Sequence, residues 1–75
     1  MKTLQRRTGI ALWRQVADQV RQSVLAGMSP GDRLPSEAEL AARFGVNRHT
    51  VRSAIAALEK EGILRAEQGR GTFLN

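Results

Sequence analysis

Gly45-Val46-Asn47-Arg48-His49-Thr50-Val51-Arg52-Ser53-Ala54-Ile55-Ala56-Ala57-Leu58-Glu59-Lys60-Glu61-Gly62 reads as a helix with both ends marked. Asn47 suits the N-cap, where its side-chain oxygen accepts from a backbone N–H of the first turn. Val46, just before the cap, and Val51, four residues after it, are placed to close a hydrophobic staple. Gly62 supplies the left-handed residue that follows many helices. Between these ends Val51, Ala54, Ile55 and Leu58 recur on one side at the helical period. The opposite side carries His49, Arg52, Ser53 and Lys60, with Arg48 on its flank. Such a helix buries one stripe and points cations, an imidazole and hydroxyls outward from its first two turns. Its N-terminus adds unpaired N–H groups and the positive end of the helix dipole, where phosphates are favoured. Taken alone, the stretch reads better as an ordinary amphipathic helix with a solvated charged face. Its neighbours reverse that reading.

Immediately upstream, Ser36-Glu37-Ala38-Glu39 is a capping box, in which Ser36 and Glu39 satisfy each other's backbone N–H groups. A short helix follows, with Leu40, Ala41 and Phe44 inward, and Gly45 stops it. Only Val46 separates Gly45 from the cap at Asn47, so the chain turns sharply between the two helices. Helix, tight glycine-containing turn, helix is the helix-turn-helix layout, whose second helix enters the major groove of DNA. Downstream, Ile63–Glu67 and Thr72–Leu74 are short runs that pair across Gln68-Gly69-Arg70-Gly71, a hairpin turn with two glycines. Leu64 and Phe73 are expected to face the core. At the tip Arg70 stands between two residues without side chains. Such a tip can approach another backbone closely, and arginine suits a narrow minor groove. A structural hairpin bearing a chance surface arginine fits the tip alone equally well.

Further out, Ile10 to Ala26 repeats apolar residues at spacings of three and four: Ile10, Trp13, Val16, Ala17, Val20, Val24 and Leu25. This predicts a first helix ended by Gly27, with Trp13 in the core. Met28–Pro35 is a loop marked by Pro30-Gly31, and Arg33-Leu34-Pro35 is extended, in position for a short edge strand. Residues 1–9 lack periodicity, contain Arg6 and Arg7, and read as a flexible basic arm; the domain proper is 10–75. The expected architecture is mainly α with a small β-hairpin, three helices and a wing.

Seventy-five residues support one small domain that buries only about 60% of its unfolded surface. With 41% apolar residues there is enough for a modest core and not for a deep substrate cavity as well. The absence of cysteine excludes a disulfide framework and thiolate metal sites. No apolar run is long enough to span a membrane, and a cytoplasmic location is expected. Twelve Lys and Arg against seven Asp and Glu give a net charge of +5 and favour a polyanionic partner. Ten of those cations are arginine, whose planar fork matches phosphates and guanine edges.

Taken together, these residues resemble the N-terminal DNA-binding domain of the GntR family of bacterial transcription regulators. The resemblance runs through Pro30-Gly31-Asp32-Arg33-Leu34-Pro35-Ser36-Glu37, Leu40-Ala41, Phe44-Gly45-Val46, Arg48, Thr50-Val51-Arg52, Ala54-Ile55, Leu58 and Gly62. It ends with Gly69-Arg70-Gly71-Thr72-Phe73. The wing is similar to that of the HutC-like subfamily, and Asn47-Arg48-His49-Thr50 looks most like the phosphonate-utilisation regulators within it. The resemblance implies a winged helix-turn-helix, with the third helix in the major groove and the wing in the adjacent minor groove. Carried onto this sequence, the groove-facing residues are Asn47, Arg48, His49, Thr50 and Arg52. Wing contacts fall at Gln68, Gly69, Arg70 and Gly71, and Arg33 and Ser36 are backbone contacts. Some family members use an arginine two residues after the capping serine; here that residue is Ala38, so no base contact is assigned there. Relatives also carry a C-terminal domain that binds a small-molecule effector and dimerises the protein on a palindromic operator. This chain is accordingly expected to be the DNA-binding part of a repressor, monomeric and weakly binding when isolated.

The rival readings differ in class. No nucleophile–base or metal constellation is visible, and the single histidine, His49, lies among cations with no carboxylate at helical spacing to orient it. No enzyme activity and no cofactor are expected. A winged helix that binds RNA or protein is the stronger alternative. A protein-binding helix would expose apolar residues where Arg48, His49 and Arg52 stand.

Overall fold

The computed structural model describes residues 11–75; the basic arm expected at 1–9 and Ile10 lie outside them. Helix α1 spans Leu12–Gln19 and continues as a π-helical turn, Val20–Val24, and a 3-10 turn, Leu25–Gly27. The single helix expected here is thus wound in three ways. Ser23 supplies a local reason: its Oγ donates to the Gln19 carbonyl at 2.6 Å, competing for the acceptor that an α-helix offers to the Ser23 N–H. The changed winding still keeps Val16, Ala17, Val20, Val24 and Leu25 buried. Trp13 departs from expectation. It is half-buried and outside the core, with the Arg14 guanidinium 5.7 Å from its ring centroid. An indole is rarely buried whole, given its size and its polar N–H.

Helix α2, Glu37–Phe44, begins at the predicted capping box: Glu39 N–H donates to Ser36 Oγ and Ser36 N–H to Glu39 Oε1, both at 3.1 Å. It ends at Gly45, whose φ of 67° is the left-handed conformation that a side chain would resist. Helix α3, Arg48–Lys60, starts three residues beyond, with Asn47 Oδ1 accepting from Thr50 N–H at 2.8 Å. At its far end Gly62 N–H donates to Glu59 and Ile63 N–H to Leu58, the paired bonds of a Schellman ending.

Strands β1, Leu64–Glu67, and β2, Gly71–Leu74, pair antiparallel. The extended segment before α2 lies along β2 as an edge: Arg33 bridges Phe73, Leu34 N–H donates to Thr72 and Leu74 N–H to Asp32. The register sets Leu64 opposite Leu74 and Arg65 opposite Phe73. Faces alternate along a strand, so Phe73 cannot share the inner face with Leu64. Leu64 is buried while Phe73, half-buried, lies on the outer face beside arginines, which corrects the expectation that both face the core.

The core brings Val16, Val20 and Val24 against Leu40 and Phe44 of α2, Val51, Ala54, Ile55 and Leu58 of α3, and Leu34 and Leu64. Val46 is half-buried against it, where the staple requires an apolar residue. The other two helices and the hairpin are thereby fixed around one side of α3, and its other side is left outward.

Candidate nucleic-acid interface

Burial of Val51, Ala54, Ile55 and Leu58 dictates what α3 presents to solvent: Arg48, His49, Arg52 and Ser53 are all exposed. The first turn of α3 holds no acidic residue, whereas Glu37 and Glu39 stand in the first turn of α2. The positive end of the α2 dipole is therefore offset within the chain, and that of α3 remains for an outside anion.

The individual side chains are not equally available. Arg48 and His49 have no ionic or hydrogen-bonding partner among the described residues. Arg52 reaches across to α2, its Nη2 donating to Glu37 Oε1 at 3.1 Å and its Nε facing Glu37 Oε2 at 3.4 Å. Glu37's hydrogen bond holds the guanidinium's pKa above its usual value. Occupation of the Nε edge leaves Nη1 without a partner among the described residues, and it remains able to meet a guanine edge or a phosphate. Asn47 Oδ1 is taken twice, by Thr50 N–H at 2.8 Å and by Thr50 Oγ1 at 2.9 Å. A bidentate adenine contact needs that oxygen. The cap is therefore the role in which Asn47 is observed, with its amide NH2 left to donate. The Thr50 hydroxyl, half-buried and committed inward as a donor, keeps only acceptor capacity.

Arg33 and Ser36 come together on the walls of a groove of about 240 Å³ between α2 and the wing, above Ile55 and next to Glu37. The Ser36 oxygen accepts from the Glu39 N–H, and the Ser36 hydroxyl also favours the charged Glu39 carboxylate, so the capping box already engages both of its capacities. In the wing, Gln68, Gly69 and Arg70 form the exposed turn, and Gly71 opens β2. Gly71 has a φ of 124°, and a Cβ there would lie 2.7 Å from Arg33 Nε. Its lack of a side chain makes room for Arg33 within the chain itself.

The wing's cations form a linked set that residue spacing alone did not single out. Glu67 takes Arg65 Nε on Oε2 at 2.9 Å and Arg70 Nη1 on Oε1 at 3.0 Å. Both guanidiniums lie over the Phe73 ring, at 5.4 and 5.6 Å from its centroid. Glu37, Arg65 and Glu67 were thus missing from the sequence-derived set. The spacing of Glu67 and Arg70 offered a signal, and the two-residue step from Arg65 to Glu67 put both on one face of a strand. Nothing local links Glu37 to Arg52. Among the described residues there is no group of three or more His, Asp and Glu able to hold a metal, and no helix long and apolar enough to cross a membrane.

Residues 12–74 match the family described as bacterial regulatory proteins, gntR family. An uncharacterised HTH-type transcriptional regulator of Rhizobium meliloti (strain 1021) is 54% identical over 74 residues, which are 97% of this chain and 30% of that protein. The histidine utilization repressor of Klebsiella aerogenes is 41% identical over 63 residues, 83% of this chain and 26% of its own length. Among solved structures, the DNA-binding domain of AraR in complex with operator ORX1 superposes with a TM-score of 0.86 at 32% identity, covering 100% of this chain and 96% of that one. The chain spans less than a third of the length of these two curated relatives.

Proposed function

Because the chain belongs to the GntR family of bacterial regulatory proteins, we propose that it binds double-stranded DNA by sequence, as the reading module of a transcription repressor. Helix α3 enters the major groove and the wing the neighbouring minor groove. The observation that carries this reading is the outward face of α3, where Arg48, His49 and Arg52 surround a helix start with no acid in its first turn. Arg48 and Arg52 read guanine edges or hold phosphates. The Asn47 amide, Arg33 and Ser36 hold the backbone, and His49 and Thr50 border the same groove. Gln68, Gly69, Arg70 and Gly71 form the minor-groove contact. A related domain bound to operator DNA supports the mode. A protein-binding role finds no apolar patch on α3 to support it, and binding to duplex DNA compared with duplex RNA separates an RNA-binding role.

The longer protein is a cytoplasmic homodimer on a palindromic operator, released by a small-molecule effector bound to a C-terminal domain. HutC-like membership is supported by the histidine utilization repressor and by the wing sequence. The narrower likeness to phosphonate-utilisation regulators rests on Asn47-Arg48-His49-Thr50 alone. Selection of bound sites from a random duplex pool tests the function. An enriched sequence, bound more tightly than random duplex over a salt titration, is expected. Equal binding to random DNA and duplex RNA would overturn it.

A further inference from the structure

The wing carries more machinery than a loop that only has to present one arginine. Arg65 Nη1 reaches the Leu74 carbonyl and Asn75 Oδ1, at 3.3 and 3.2 Å, fixing it to the end of β2. From that anchorage its Nε holds one oxygen of Glu67, and the other oxygen of Glu67 holds Arg70. The Phe73 ring lies under both guanidiniums. Arg70 is nonetheless 71% exposed in its side chain, so the brace grips one edge and one face and leaves the remainder outward. We propose that Arg65, Glu67 and Phe73 are positioning residues that hold Arg70 ready for a narrow, A·T-rich minor groove beside the half-site. They thereby give the protein a preference for bases that α3 does not read. This inference rests on the duplex-binding reading above and adds to it a source of specificity.

The physical reason is the entropy of the arginine. A long side chain that is loose in the free protein loses rotamer freedom when it enters a groove, and one already held loses less. A narrow A-tract groove has the stronger negative potential and closer walls, so it rewards a guanidinium already in place. A wide G·C groove makes less contact with it. The brace therefore raises the affinity difference between the two flanks. The opposite role, a carboxylate that pulls Arg70 back from DNA, makes the opposite prediction. A competing ion pair broken only in the narrow groove would reduce the difference between flanks, and its removal would enlarge it.

The test uses the 75-residue chain and the duplex selected above, prepared with A-tract or G·C flanks where the wing lies. Wild type is expected to favour the A-tract duplex. Glu67→Gln removes a negative charge and strengthens binding to both duplexes, while the ratio between them falls about two- to fivefold, the range that exposed ion pairs carry. Phe73→Leu lowers the same ratio without the general gain, and Phe73→Tyr, which keeps the ring, preserves it. A merely structural defect would weaken both duplexes alike and leave the ratio unchanged. An unchanged or larger ratio in Glu67→Gln, or no flank preference in wild type, overturns the inference while leaving sequence-specific binding intact. Failure of wild type to discriminate the selected duplex from random DNA overturns the duplex-binding reading itself.

Discussion

At the scale of single residues, availability separates side chains that sequence position makes alike. Arg48 is unpartnered among the described residues while Arg52 is held by Glu37, so truncating the two removes different things. Arg48→Ala should cost about 1–3 kcal/mol of specific binding and relax selection at one base pair, as measured by comparing the selected site with its single-base variants. Loss of equal size on random duplex would make Arg48 a phosphate contact. Gly71 tests backbone conformation. Gly71→Ala should destabilise by about 1 kcal/mol or more because φ is positive there, whereas the Arg33 atoms that the new methyl meets are the far end of an exposed side chain that can swing aside. An Arg33→Ala background should therefore leave the cost nearly unchanged; urea unfolding of the four proteins measures the difference. The cap at Asn47 was legible because an N-cap bonds within three residues of itself. The Glu37–Arg52 pair was not, because fifteen residues separate partners that only the packing of two helices brings together.

At the scale of elements, local chemistry sets the ends of α2 and α3. Asn47→Ala should cost about 1 kcal/mol by releasing the Thr50 N–H, read as a lowered urea midpoint with unchanged slope. The capping box carries a pH signature. Glu39's carboxyl sits below the usual carboxylate range because it accepts the Ser36 backbone N–H and is bonded to Ser36's side chain as well. A folded-state pKa below the unfolded one gives stability that is present above the unfolded pKa and lost as pH falls through the folded pKa. The stability gap between wild type and Glu39→Gln should therefore be widest near neutral pH and close below the carboxylate range, as seen in urea midpoints across pH. Elements whose signals are not local were read less well. The first helix changes winding where Ser23 competes for a backbone acceptor, and the apolar spacing gives no sign of it. Phe73 changes face because strand register, a property of two segments together, fixes it opposite Arg65.

At the scale of the molecule, a single apolar core holds α3 by its inner stripe and so decides which of its side chains face outward. Phe44 is 2% exposed within that core. Phe44→Ala should remove about 3–5 kcal/mol, a large part of the roughly 4–11 kcal/mol expected for a chain of this length. Thermal unfolding should show a much lower midpoint. Selective DNA binding should return where folding is restored by cooling. Such rescue would mark Phe44 as structural.

The sequence by itself determined the two capped helices, the sharp turn between them, the glycine-bearing hairpin and the excess of arginine. Each of these depends on neighbours within a few residues or on composition. Tertiary structure decided which arginines stand open and which are held: Arg52 by Glu37, Arg65 and Arg70 by Glu67, and Arg33 in the space that Gly71 leaves. Ion pairs of that kind depend on distances between segments. Those distances exist only once the core has fixed how the helices cross and the strands have settled their register.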